Sequence, residues 1–398
     1  MDRLLNVDIR NFRSIASLTV TVEGLQVLVG ENGGGKSSIL ECFELLRRAT
    51  APQFTQELER VHGGARAMVR SGESVVTLEA TIQLQPSREL VSYKISFGGQ
   101  PGWGSALFFE SLSLLNDQPV LLIERALGHA TGNAHRDPTL NAPDSQTETA
   151  LPFSRANSIV DRVWRVLDGI EVHLGHEVTA LWRQRERSRS GLSGASSASL
   201  RDPSQLGPAK RLEHGATNLA SLFHGLKNDT GPTDWDITRR LVRLGLGEEV
   251  DDVAVQVVAD SGFATLALRY VDGRVVPAMA LSDGQLAYLA FVAMTRAPAP
   301  RSVLLIDEPE LHLHPGLAVR VLDLLDAAGS KSPVILSTHS NDILDALEHP
   351  EDEVRIVSQV EGKTLMNQLT PGFLERWKPR TLSELRRSIG DAELRGDS

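Results

Sequence analysis

The sequence predicts an α/β protein, in which a mixed sheet with helices on its faces is interrupted by an inserted α+β and helical segment. One observation is a strand–loop–helix unit near the amino terminus, where Leu25–Val29 leads through a glycine-rich loop into an amphipathic helix over Lys36–Arg48. The other is the β-α-β alternation after residue 250, which is typical of a sheet covered by helices.

The predicted elements follow the chain in three blocks. The first thirty residues alternate short apolar runs, which predict strands over Leu4–Ile9, Leu18–Val22 and Leu25–Val29. Between 51 and 230, alternation predicts antiparallel strands over Val75–Leu84 and Leu90–Phe97, followed later by a helix over Ser158–Ile170. After 250, buried strands are predicted at Val303–Ile306, Val334–Leu336 and Val354–Val357, with helices over Gly284–Arg296 and Leu317–Ala328.

These blocks predict a discontinuous domain organisation. Residues 1–50 and 231–371 form the head, 51–230 form an insertion, and 372–398 form a polar tail. Residues 188–204 are rich in Ser and Gly and lie in a basic linker near 183–211, which we expect to be flexible.

The composition excludes several classes of protein. The chain has 398 residues, of which 41% are hydrophobic and 23% charged, as in a soluble globular protein. A single cysteine, Cys42, excludes a disulfide framework. We expect a cytoplasmic protein without a membrane-spanning segment, because no signal peptide or sufficiently long apolar stretch is present. The net charge of −10 excludes a generally basic nucleic-acid coat.

The strongest motif is the loop Gly30-Glu31-Asn32-Gly33-Gly34-Gly35-Lys36-Ser37. It fits G-x-x-x-x-G-K-[ST] between a strand and a helix, the pattern of a phosphate-binding P-loop. Its glycines let backbone N–H groups surround phosphate oxygens, and the helix amino terminus adds its positive dipole end. Lys36 is predicted to reach the β- and γ-phosphates of ATP, and the Ser37 hydroxyl to bind Mg²⁺.

A second motif is the apolar strand Ser302–Glu308, which ends in two carboxylates. Asp307 is predicted to hold Mg²⁺, and Glu308 to polarise the attacking water as the general base.

Two weaker motifs accompany these. Ser282, Asp283, Gly284 and Gln285 open a predicted helix, and this helix terminus can present N–H donors to an anion. His339 lies at the end of an apolar strand, from which it can contact a γ-phosphate, although a lone histidine there is more often structural.

In this order the four motifs resemble an ABC-type ATPase head with Walker A, signature, Walker B and switch histidine. The run Leu281-Ser282-Asp283-Gly284-Gln285 stands where that family has LSGGQ, so Asp283 replaces a glycine. Asn11-Phe12-Arg13-Ser14 resembles the opening of RecF/SMC-like ATPases, which implies that Asn11 and Arg13 lie near the nucleotide. Runs at 215–220 and 308–315 are similar to the compact "predicted ATPase" branch related to the ATPase half of OLD-family proteins.

The resemblance implies an ATPase that binds ATP and Mg²⁺ and forms a homodimer through its ATP-bound heads. It also implies a nucleotide site, whose members in this sequence are Asn11, Arg13, Gly30, Asn32, Gly33, Gly34, Gly35, Lys36, Ser37, Ser38, Ser282, Asp283, Gly284 and Gln285. The Mg²⁺-sensing glutamine of such heads has weak counterparts here in Gln83, Gln85 and Gln118. His312 and His314 could suggest a metal site, but the family match explains their loop.

The biological role stays open between several readings. The basic stretch 181–211 is a candidate DNA contact or a flexible linker, and DNA repair is one reading. Regulation of an anti-phage defence system through a separate effector protein, a nuclease or toxin, is another, since 372–398 are too few residues for a nuclease domain. A non-hydrolytic scaffold stabilised by nucleotide, and a transporter ATPase, are further alternatives.

Overall fold

The computed structural model describes residues 1–100, 104–116, 120–126, 129–131, 139–140, 143, 145–174, 200–258 and 261–369. The tail 372–398 and most of the basic linker, including Arg183, Arg185, Arg187 and Arg189, lie outside these residues. The described strands form three sheets of six, seven and four strands.

The six-stranded sheet has the order β17-β16-β3-β15-β14-β9. Its strands are β3 (Leu25–Val29), β9 (Ile170–Leu174), β14 (Val303–Asp307), β15 (Val334–Ser337), β16 (Val354–Val360) and β17 (Lys363–Gln368). All neighbours pair in parallel except β16 and β17. The β3 side chains are all buried, as expected for a parallel sheet covered on both faces.

The register of this sheet aligns the strand ends that carry the motifs. Asp307 pairs with Ser337, and Ser337 pairs with Leu28. The loops after β3, β14 and β15 therefore leave the same edge of the sheet. In open α/β sheets, ligands bind outside this carboxyl edge.

The seven-stranded sheet is antiparallel and has the order β2-β1-β4-β5-β6-β7-β8. Its strands are β1 (Arg3–Phe12), β2 (Ile15–Thr21), β4 (Val76–Leu84), β5 (Glu89–Gln100), β6 (Gly104–Leu114), β7 (Val120–Ala126) and β8 (His129–Thr131). Strict alternation of buried and half-buried residues along β4 places one face against a core. This core joins the sheet to the helix that follows the P-loop through Phe43 and Leu46.

The third sheet has the order β10-β12-β11, with β13 paired to β12. Its strands are β10 (Ser204–Gln205), β11 (Val250–Val258), β12 (Phe263–Tyr270) and β13 (Val275–Pro277). A turn containing Asp272 and Gly273 joins β12 to β13, and Gly273 has a φ of +86°.

The helices cover these sheets. They are α1 (Lys36–Arg48), α2 (Phe54–His62), α3 (Ser158–Asp168), α4 (Leu219–Asn228), α5 (Pro232–Leu246), α6 (Asp283–Arg296), α7 (Pro315–Gly329), α8 (Asn341–Asp345) and α9 (Pro350–Glu353). In α6, nine consecutive residues from Leu286 to Met294 are buried, because α4, α5 and α7 all pack against it. An all-round apolar helix is typical of such a central position.

The sheets divide the chain differently from the predicted segments. The seven-stranded sheet runs across residue 50 and pairs β1 with β4, while β9 from 51–230 pairs with β14. The division into 1–50 with 231–371, 51–230 and 372–398 stays a prediction. Within the described residues, no helix combines the length and apolar character needed to cross a membrane.

Candidate nucleotide site

The P-loop joins β3 to α1 and folds around the side chain of Lys36. The Lys36 ammonium donates to the carbonyl oxygens of Gly30 at 2.9 Å and Glu31 at 3.0 Å. The lysine is 6% exposed, whereas Asn32, Gly33 and Ser37 around it are exposed. The loop therefore holds its cation inside a ring of backbone, while its outer surface stays accessible to a ligand.

Two glycines of this loop have neighbours so close that a side chain at either position would clash. A Cβ atom on Gly30 would lie 1.9 Å from the carbonyl oxygen of Val357 in β16. Gly35 has a φ of +111°, and a Cβ there would lie 2.4 Å from the Thr364 hydroxyl in β17. The backbone is thus compressed into the curvature that a phosphate cradle needs, so the loop fits the nucleotide that the motif implies.

Thr364 of β17 and Ser14 form a hydrogen-bonded strap against the P-loop. Thr364, 1% exposed, donates from its hydroxyl to the Gly34 carbonyl at 3.0 Å and lies 2.8 Å from the Ser14 hydroxyl. The Thr364 N–H donates to the Ser14 carbonyl at 2.9 Å. Because this buried hydrogen bond holds the Gly34 carbonyl, the strap fixes the orientation of the loop backbone.

The acidic strand β14 pairs with β15, and β15 pairs with β3, the strand that leads into the P-loop. The Ser337 hydroxyl donates to the Asp307 carboxylate, which orients one carboxylate oxygen. Carboxylate and hydroxyl oxygens are the ligands that Mg²⁺ prefers, so Asp307 and the predicted Ser37 are chemically suited to that ion. Within the described residues, no group of three or more His, Cys, Asp and Glu side chains is arranged to hold a metal ion.

Glu308 has a strained backbone. Its φ is +50°, and its N–H donates to the Ser337 carbonyl at 3.0 Å and hydroxyl at 3.2 Å. A left-handed conformation in a non-glycine residue costs on the order of 1 kcal/mol and recurs at functional sites. The side chain is 37% exposed, so its carboxylate is accessible to water.

The predicted switch histidine lies next to this carboxylate. The His339 Nε2 atom is 3.6 Å from the Glu308 Oε1 atom. The loop that carries it is fixed by Glu310, whose Oε1 accepts from the Thr338 hydroxyl at 2.8 Å and from the His339 N–H at 2.7 Å. The structure therefore brings both predicted catalytic residues together at the carboxyl edge of the sheet.

The signature loop caps helix α6. The Ser282 hydroxyl oxygen accepts from the Gln285 N–H at 3.2 Å, and the Gln285 side-chain oxygen accepts from the Ser282 N–H at 2.9 Å. A Cβ on Gly284 would lie 3.2 Å from the His312 carbonyl, so this helix end packs on the loop after β14. The Asp283 carboxylate is bound by Arg201.

Asn11 lies near the end of β1, and Arg13 lies in the turn between β1 and β2. Both have positive φ, at 60° and 46°. Asn11 donates to Glu73 at 3.3 Å, and the Arg13 guanidinium pairs with Glu41 of α1 at 2.7 Å. These contacts direct both side chains to carboxylates, while Ser14 next to them reaches the P-loop through Thr364. Their predicted nucleotide contacts stay predictions.

A buried polar cluster lies behind the acidic strand. On β9, the carboxylate of Glu171 is 2.9 Å from His173 Nε2 and 3.2 Å from Arg301 Nε. Burial by itself would raise the pKa of Glu171, but the His173 hydrogen bond and the Arg301 charge outweigh it and hold that pKa below its usual range. His173 also borders a cavity of about 10 Å³ with Asp307 and Glu308.

The remaining predicted residues have varied positions. Gln83 lies on β4 opposite Arg3, the Gln85 N–H donates to Asp2, and Gln118 lies outside the described residues. His314 caps α7 by accepting from the Gly316 N–H at 3.3 Å. Sequence reasoning gave no site role to Ser337, Glu310 or Thr364, and it placed Arg201 only in the basic stretch 181–211. Their partners lie 28 to 350 residues away in sequence, so no local pattern indicates them.

Comparison with solved structures confirms the predicted fold class. An SMC head bound to the C-winged helix domain of ScpA is 14% identical, with a TM-score of 0.54 over 95% of this chain and 100% of that chain. An SMC head with an extended coiled coil, bound to the C-terminal domain of ScpA derived from Pyrococcus furiosus, is 13% identical, with a TM-score of 0.51 over 97% and 100%. No curated protein matches the chain.

Family comparison identifies AAA-type ATPase domain families in the chain. A family described as "AAA ATPase domain" matches residues 3–86, which contain the P-loop. A second family matches residues 139–345, just over half of the chain, including the signature loop and β14. The chain therefore belongs to the family described as "AAA domain, putative AbiEii toxin, Type IV TA system".

Proposed function

We propose that the protein binds and hydrolyses ATP with Mg²⁺ and works as a nucleotide-gated dimeric switch. The observation that carries this proposal is the parallel register of β3, β15 and β14, which puts the P-loop, the His339 loop and the Asp307-Glu308 pair at one sheet edge. A protein that only bound nucleotide would not need a strained, exposed Glu308 beside Asp307, the proposed Mg²⁺ ligand.

In this proposal each residue has a defined task. Lys36 exchanges its bonds to the Gly30 and Glu31 carbonyls for phosphate oxygens. Ser37 and Asp307 would hold Mg²⁺, which would supply neutralising charge at the phosphates. Glu308 accepts a proton from the attacking water at its carboxylate, and His339, 3.6 Å away, positions that carboxylate or contacts the γ-phosphate. Ser337 and Glu310 hold these groups in place by hydrogen bonds.

The dimer supplies the second half of each site. We propose that the amino end of α6, with Ser282, Gly284 and Gln285, closes over the ATP held by the partner's P-loop. A helix amino terminus carries partial positive charge that attracts an anion. The arrangement is two-fold, so two ATP molecules lie in one isologous interface. Hydrolysis then removes the γ-phosphate contacts and opens the dimer.

The test is the substitution Glu308→Gln, studied by light scattering with and without Mg-ATP. We expect the variant to bind ATP, to lose hydrolysis by at least about 10²-fold, and to accumulate as a dimer. Lys36→Met is the matched control, and we expect it to stay monomeric. If Glu308→Gln is monomeric in saturating Mg-ATP, the gating proposal is wrong. If wild-type protein releases no phosphate, the non-hydrolytic scaffold is the better account.

For the biological role, we propose regulation of a toxin-type defence system through a separate effector protein. The family that matches residues 139–345 is described as a putative toxin of a type IV toxin–antitoxin system, which favours this role over DNA repair. Titration of the Glu308→Gln dimer with duplex and single-stranded DNA separates the two roles. Salt-sensitive DNA binding by the dimer would support repair, whereas a dimer that ignores DNA supports the effector role.

A further inference from the structure

Arg201 holds the loop that leads into helix α6. Its side chain is 7% exposed, and one guanidinium nitrogen donates to the carbonyls of Leu281 at 2.6 Å and Ala278 at 3.0 Å. The other terminal nitrogen pairs with the Asp283 carboxylate. One planar group thus binds the residues before and after Ser282, and a guanidinium can do this because its donors have fixed directions.

Arg201 is itself anchored on the third sheet. Three residues later, Ser204 pairs with Ala264 of β12, and the Leu206 N–H donates to the Gly262 carbonyl at 2.8 Å. Arg201 therefore links the third sheet to the signature loop through its backbone on one side and its guanidinium on the other. A movement of Arg201 would move both ends of the loop together.

The negative charge of Asp283 lies at the helix end proposed to bind phosphate, and the Arg201 guanidinium compensates this charge. A carboxylate in the first turn stabilises a helix, but it also repels an anion brought to the same helix end. Asp283 is 44% exposed, so its charge would reach an incoming phosphate. Contact with the guanidinium neutralises the carboxylate and turns it toward Arg201.

We propose that Arg201 is a positioning residue for the signature loop, and that Asp283 is its anchor and not a phosphate ligand. This inference rests on the proposed dimeric switch and adds the residue that orients its closing surface. It revises the prediction that Asp283 contacts the nucleotide.

The test compares variants in the Glu308→Gln background, with the dimer dissociation constant measured by analytical ultracentrifugation in saturating Mg-ATP. We expect Arg201→Met to weaken dimerisation about 100-fold. Loss of one charge-assisted hydrogen bond corresponds to about tenfold, and the two-fold interface contains the loop twice. Affinity of the monomer for a fluorescent ATP analogue should change less than about threefold, because the P-loop is made by other residues.

Rescue distinguishes positioning from general folding. Adding Asp283→Gly to Arg201→Met removes the uncompensated carboxylate, and we expect it to restore about tenfold of the lost affinity. A folding defect would not be relieved by a glycine in a helix. Arg201→Lys keeps the charge without the fork, and we expect an intermediate loss; it also replaces Arg201→Met if that variant does not fold.

Arg211 provides the matched control. It lies in the same segment and donates to the Asp168 carbonyl at 2.5 Å and the Pro300 carbonyl at 3.1 Å, away from the signature loop. Arg211→Met should change dimerisation less than about threefold. If Glu308→Gln alone fails to dimerise, the proposed switch is wrong. If it dimerises and Arg201→Met does so equally well, or if Asp283→Gly gives no rescue, the inference about Arg201 is wrong.

Discussion

The contact between Gly30 and β16 makes a sharp prediction for Gly30→Ala. The new Cβ would lie 1.9 Å from the Val357 carbonyl oxygen and 2.9 Å from its carbonyl carbon. Both are backbone atoms in a paired strand, so no side chain can rotate away. Gly30 does not have a positive φ, so an alanine there adds no left-handed backbone strain to the contact with Val357.

The size of the effect follows from the distances. A carbon–oxygen contact relaxes to roughly 3.4 Å, near the optimum for non-bonded atoms, so the P-loop and β16 must separate by about 1.5 Å. Overpacking of this kind costs about 1–3 kcal/mol of stability. A displacement of about 1 Å in a catalytic group can cost about 100-fold in rate, so we expect a loss of at least that size in kcat/KM.

The assays are phosphate release and urea denaturation of Gly30→Ala beside Gly24→Ala. Gly24, just before β3, has a φ of +50° but no neighbour within 4 Å of a new Cβ. We expect Gly24→Ala to lose about 1–2 kcal/mol of stability through backbone strain while it keeps its activity. A Gly30→Ala protein with wild-type kcat/KM would refute the argument that β16 shapes the P-loop.

Three further predictions concern buried polar groups. Thr364→Val, which keeps the shape and loses the bond to Gly34, should weaken Mg-ATP binding about three- to tenfold in a fluorescence titration, and Thr364→Ser should restore it. Glu110→Gln removes the fully buried partner of Arg125 and should cost about 3–5 kcal/mol in urea denaturation, whereas loss of the exposed Glu57–Arg60 pair should cost less than about 1 kcal/mol. Because the pKa of Glu171 is lowered in the folded state, its stabilisation is complete above the unfolded value of about 4.3 and is lost as pH falls through the folded value. Glu171→Gln should therefore be less stable than wild type at pH 7, and the difference should narrow as pH falls below the unfolded value of about 4.3, as thermal unfolding at each pH would show. A constant difference would contradict this assignment.

Local patterns made the central elements predictable. The run from Leu25 to Ser37 combines an apolar strand, glycines and an amphipathic helix, and each feature comes from residues adjacent in sequence. The same is true of Ser302–Glu308. The structure shows these elements as β3, α1 and β14, with boundaries within two residues of the predicted ones.

The supporting contacts could not be predicted because they join distant segments. Ser14 and Thr364 are 350 residues apart, and neither belongs to a recognisable motif. Arg201 reads in the sequence as one of several arginines in a basic stretch, although its guanidinium is buried against Asp283. The pairing of β1 with β4 likewise crosses the predicted boundary at residue 50, since alternation indicates a strand without indicating its partner.

The strap over the P-loop has a consequence for how the protein is made. The P-loop residues leave the ribosome well before Thr364, because Gly34 and Thr364 are 330 residues apart in sequence. At about 5–20 residues per second, synthesis of the intervening chain takes roughly 15–65 s. During that interval a nascent chain carries the complete ATP-binding motif without the strand that shapes it. Until Thr364 has been synthesised, the loop lacks the hydrogen bond that holds the Gly34 carbonyl, so we expect the unfinished chain to bind nucleotide more weakly than the finished fold.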